Sequence, residues 1–143
     1  GGGGLLLAPR MGRRVRLAVA PVALALGEFV RQDLSVGARV RIAGLRNRRI
    51  DAVWSVRALA EVVWWGGATQ LGLGVGVHVL GLVPSGAGDI EPDRGLALGV
   101  RVGSVLRRRA GGALSVVAEL APSLFAGGEP VLEASVGLAW QAW

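Results

Sequence analysis

Leu71-Gly72-Leu73-Gly74-Val75-Gly76-Val77-His78-Val79 decides how this chain folds. It lies within Val62 to Gly88, the longest stretch without Asp, Glu or Arg. A run of that length passes the roughly 18 apolar residues from which a membrane-crossing helix is read. Eight glycines in the stretch argue against a helix, because glycine loses the most backbone entropy on ordering. The apolar residues recur every second position, the period of a strand with unlike faces.

The same period appears on both sides of this run. Leu34, Val36, Ala38, Val40 and Ile42 share one face, with Ser35, Gly37, Arg39 and Arg41 opposite. Ile50, Ala52, Trp54, Val56, Ala58, Ala60, Val62 and Trp64 oppose Asp51, Ser55, Arg57 and Glu61. Leu96, Leu98, Val100 and Val102 oppose Gly95, Ala97, Gly99, Arg101 and Gly103. Leu114, Val116, Ala118 and Leu120 oppose Ser115 and Glu119. Leu132, Ala134, Val136, Leu138 and Trp140 oppose Glu133, Ser135, Gly137 and Gln141.

Eight strands follow: a poorly marked Gly1 to Pro9, then Arg14 to Leu26, Leu34 to Leu45, Ile50 to Trp65, Leu71 to Val83, Arg94 to Leu106, Ala113 to Phe125, and Val131 to the C-terminus. Pro21 marks a bulge in the second, since proline cannot donate to a ladder. Turn signals separate them at Arg10-Met11-Gly12, Gly27 to Asp33, Arg46-Asn47-Arg48-Arg49, Gly66-Gly67, Pro84 to Asp93, Gly111-Gly112 and Gly127 to Pro130. Connections this short join antiparallel neighbours, because parallel strands need crossovers of a dozen or more residues. One domain accounts for 143 residues. The run from Met11 through Arg13, Arg14 and Arg16 to Leu26 has the basic head and apolar body of a signal peptide. It is read here as part of the mature chain, with any true leader removed upstream.

Composition narrows the class. Hydrophobic residues make up 52% of the chain, with 24 glycines and no cysteine. A soluble domain of this size has difficulty hiding so much apolar surface. The polar faces carry mostly Gly and Ala with isolated charges, where a water-facing surface would carry abundant charged and amide side chains. Such a face suits a narrow interior. The expected fold is therefore an all-β, antiparallel, up-and-down transmembrane β-barrel of about eight strands, apolar outward and polar inward. Trp54 and Trp64 share the outward face ten residues apart, which spans roughly 25 Å along the normal at a strand tilt of about 40°. With Trp140 they form the expected membrane-interface aromatics.

On these residues the chain resembles the small eight-stranded outer-membrane barrels of the OmpA transmembrane domain, OmpX and OmpW kind. The resemblance is architectural and covers residues 10–143. The terminal Leu138-Ala139-Trp140-Gln141-Ala142-Trp143 is similar to their aromatic-ended last strand, although Trp143 falls on the face opposite Trp140. The resemblance implies a bacterial outer-membrane location and contact with outer-membrane lipids, including lipopolysaccharide, and with other envelope proteins. Both termini then face the periplasm. The turns near 10–13, 45–49, 84–93 and 126–130 lie outside. Arg46, Arg48 and Arg49 lie near lipopolysaccharide phosphates, and Arg107, Arg108 and Arg109 near inner-leaflet headgroups.

The inward set comprises Arg16, Arg39, Arg41, Asp51, Arg57, Glu61, His78, Arg101, Glu119 and Glu133. Both signs occur, so the expectation is a charge network that plugs the lumen, in keeping with barrels of eight strands being filled by their own side chains. The net charge of +6 raises a nucleic-acid reading, but no aromatic platform or reader motif accompanies the arginines. No catalytic, cofactor or metal residues are assigned. His78 has neither serine nor carboxylate close by in the sequence and reads as structural. Gly72-Leu73-Gly74-Val75-Gly76 lacks the spacing and following helix of a dinucleotide loop. The functional expectation is a non-enzymatic outer-membrane barrel, serving as a structural anchor or as the membrane part of an envelope complex. Its rivals are a soluble β-barrel or sandwich that binds a hydrophobic ligand or protein partner, a small pore, and a lipid-modifying barrel enzyme.

Overall fold

The computed structural model describes the backbone of residues 2–7, 16–47, 50–83, 92–109, 111–128 and 130–142. Side chains are described for residues 22–44, 54–81, 92–109, 111–128 and 130–142. The strands are β1 (Gly2–Leu7), β2 (Arg16–Arg31), β3 (Leu34–Asn47), β4 (Ile50–Gly66), β5 (Thr69–Val83), β6 (Asp93–Arg109), β7 (Gly112–Phe125) and β8 (Pro130–Gln141). The all-β, antiparallel, up-and-down arrangement expected from the alternation is present. Each of β2 to β7 pairs antiparallel with the strand that follows it.

The strands are longer than their composition suggests. Gly27 to Arg31 carry a turn-like sequence yet continue β2, paired to β3 with Gly27 opposite Gly37. The reversal uses only Gln32 and Asp33. Arg107, Arg108 and Arg109 likewise extend β6 past an irregularity between Val105 and Arg107. A register shift between Val19 and Val22 brackets Pro21, as the missing donor requires. The β4–β5 hairpin turns at Gly67 and Ala68, where Gly67 takes a φ of 59°, in the left-handed region open to glycine. Trp143 and residues 84–91 lie outside the described residues.

The sheet rolls up around its polar face. β1 joins the two ends of the sheet, pairing with β8 over Gly2–Leu7 and with β2 from Gly4 opposite Ala18 to Leu6 opposite Arg16, so the strand order returns on itself. β1 is much shorter than its neighbours. Val22–Arg31 on β2 and Leu138–Gln141 on β8 pair on their other sides only, among the described residues. Seven long strands thus form one curled sheet, bridged by β1 over part of its height and open over the rest. The expected strands and their antiparallel order are present, and closure of the expected barrel is limited to the height that β1 spans.

Burial follows the alternation strand by strand. In β6 the outward Leu96, Leu98, Val100 and Val102 are exposed and the inward Ala97, Gly99, Arg101 and Gly103 are buried. Among the described residues the outer surface is an apolar band, with Leu26 84% and Leu138 56% exposed. The inner face holds the charges. Small inward residues let neighbouring backbones approach: a Cβ on Gly76 would run into the carbonyl oxygen of Ala58.

Candidate functional site

The interior is built from the polar phase of five strands. Arg39 and Arg41 come from β3, Arg57 and Glu61 from β4, Arg101 from β6, Glu119 from β7 and Glu133 from β8. All seven are buried. They form one connected network. Arg101 meets Glu61 at 3.2 Å, and Glu61 meets Arg39 at 3.2 Å. Arg39 donates to Glu119 at 2.8 Å. Glu119 also lies 3.4 Å from Arg41 and accepts from Arg57 Nη2. Arg41 and Arg57 each reach Glu133 at 3.2 Å. Arg41 also donates to Ser135 at 2.6 Å.

The arrangement answers an energetic requirement. An isolated charge in a low-dielectric interior is very costly, and it becomes tolerable when paired and hydrogen-bonded. Arginine suits such a site because its planar fork presents several donors at once. Alternating signs across the lumen leave no guanidinium without a carboxylate within 3.4 Å in this set. Long side chains from opposite walls therefore meet across the interior.

Of the ten residues expected to line the lumen, these seven are brought together. The side chains of Arg16 and Asp51 lie outside the described residues. His78 is inward and fully buried and joins no ion pair among the described residues. Its Nε2 lies 2.7 Å from Ser55 Oγ and its Nδ1 lies 2.8 Å from Ser123 Oγ. The Phe125 ring packs beside it with centroids 5.2 Å apart. A neutral imidazole has one donor and one acceptor nitrogen, so one hydroxyl donates to the ring and the other accepts from it.

In the sequence His78 has no serine near it, and the fold supplies two. Ser55 and Ser123 are both in the inward phase of their strands, which is the signal that narrows the search. Their meeting depends on the β4–β5 register, with Arg57 opposite His78, and on the curl that brings β7 across. A serine within reach of a histidine is the beginning of an activated nucleophile. Here the third member is a hydroxyl rather than a carboxylate, and His78 is 0% and Ser55 2% exposed. The two hydroxyls satisfy both ring nitrogens of a buried imidazole.

Trp54, Trp64 and Trp140 all face outward and are partly exposed. Trp65, which the alternation assigns to the inner phase, stands near the Gln32–Asp33 end. It donates to Ser35 at 3.1 Å and packs on Phe29 at 5.9 Å. No family model, no curated protein and no solved structure matches this chain.

Proposed function

We propose that this chain is a non-enzymatic β-barrel of a bacterial outer membrane, acting as a structural anchor or as the membrane part of an envelope complex. One observation carries the reading: the faces are inverted relative to a water-soluble protein. Leucine, valine and tryptophan cover the outside, and arginine and glutamate are buried within. In water such a surface would be a large contiguous apolar patch, which soluble monomers rarely expose. In a bilayer it is the lipid-facing band, and the inner charges are paired away from hydrocarbon.

The partners this implies are membrane lipids. Trp54 toward one end of the sheet and Trp64 and Trp140 toward the other take interfacial positions. Arg107, Arg108 and Arg109 are exposed at the Trp64 end, where phosphate headgroups lie. Arg46, Arg48 and Arg49, the residues expected near lipopolysaccharide, have side chains outside the described residues. The interior network supports a plugged lumen rather than a conducting pore.

Fractionation tests the location: the folded protein should require detergent and show heat-modifiable gel migration. Recovery of folded protein in water without detergent overturns the reading. Planar-bilayer recording tests the plug, with no large steady current expected.

A further inference from the structure

β1 lies between β8 and β2, but only over part of their length. Gly2 stands opposite Gly137 and Leu7 opposite Leu132. Toward the Gln32–Asp33 turn both neighbours run on without it. Among the described residues, which leave out Gly1, Leu138 to Gln141 pair only with β7 and Val22 to Arg31 only with β3. The opening is one strand wide, because a single strand fills it further along. It leads inward to a cavity of about 640 Å³ lined by Ala23, Ala25, Gly27 and Ala139, with Arg41 and Glu119 at its inner wall.

The opening specifies its occupant. Both edges present backbone N–H and C=O groups, and below the interfacial level of Trp140 hydrocarbon offers these no water to bond, so protein must satisfy them. Only an extended backbone can pair with two such edges together. Its register is inherited from β1: one residue per residue along β8 puts the fourth position on the N-terminal side of Gly2 opposite Gln141. Its phase is inherited too. Leu138 and Trp140 point outward, while Ala139 and Gln141 are half-buried on the inner side.

We infer that this slot is the seat of one further extended segment, running on from β1 on its N-terminal side, apolar outward and small or polar inward. The inference rests on the membrane reading, which makes unpaired edges costly, and on the interface that β1 already forms with both strands.

The test is hydrogen exchange on the full chain in detergent. Without an extension, the slot-facing amides of Ala23–Leu26, which the register of β1 places within reach of four added residues, should exchange at least about a hundredfold faster than those between β3 and β4. An added Val-Gly-Leu-Ser ahead of Gly1 puts Leu and Val outward in register. It should slow those amides about tenfold or more. The shifted Gly-Val-Ser-Leu, which turns the apolar residues inward, should not. Strong protection in the unextended chain, or equal protection by both extensions, overturns the inference. So does rapid disulfide formation in the Ala23→Cys, Ala139→Cys variant. Edges separated by a strand are about 9–10 Å apart, beyond the roughly 7 Å limit for a disulfide. Folded protein in water without detergent would refute the membrane reading alone, and these rates would still judge the slot.

Discussion

Arg39 on β3 donates to Glu119 on β7 at 2.8 Å, joining residues 80 positions apart across the interior. Glu119 receives Arg41 and Arg57 as well, which makes one carboxylate the meeting point of three guanidinium groups. The network among the described residues holds four arginines against three glutamates. Removing this one charge leaves the four arginines facing two carboxylates, Glu61 and Glu133.

Glu119→Gln should therefore destabilise the fold by about 3–5 kcal/mol, the usual cost of breaking a buried pair from one side. The measurement is the temperature at which the heat-modifiable gel band converts. A shift no larger than that of a surface control such as Glu28→Gln would show that the network contributes little.

Ser55→Ala and Ser123→Ala each leave a nitrogen of His78 without its hydroxyl. Each should cost about 1–3 kcal/mol of stability, the penalty for an orphaned buried polar group. On the non-enzymatic function proposed above, His78→Ala should leave the mass spectrum of co-purified lipid unchanged. A lipid species that shifts in mass when His78 is removed would argue for an enzyme.

The outer face distinguishes lipid from water directly. Leu98 is more than half exposed, in the middle of β6. In a soluble protein Leu98→Arg would change stability by about 0.5 kcal/mol or less. In a bilayer it should cost about 2–4 kcal/mol near the midplane. Urea titration after refolding into liposomes reads the difference.

Backbone approach on the inner wall is equally testable. Gly76→Val places new atoms against the Ala58 carbonyl, and overpacking of that kind costs about 1–3 kcal/mol. Gly127→Val, in a turn with open space around it, should have a far smaller effect. Equal effects would mean that the β4–β5 approach is looser than described.

The amino-acid sequence by itself determined the meander and the assignment of residues to faces. Both are local properties. The pleat sends successive side chains to opposite sides, so Arg57 and Glu61 had to share a face that Trp54 and Trp64 avoid. The ends of strands were less legible: Gly27 to Arg31 have turn composition, yet pairing with β3 holds them extended and leaves the reversal to Gln32 and Asp33. Tertiary structure alone decided which inward residues meet. Arg57 finds Glu133 76 residues away and His78 finds Ser123 45 residues away, because the sheet curls until distant walls face each other. Curl and register are properties of the whole ladder, and no spacing along the chain carries them. The partial closure by β1 was settled there too, since it depends on where two strands run past a third.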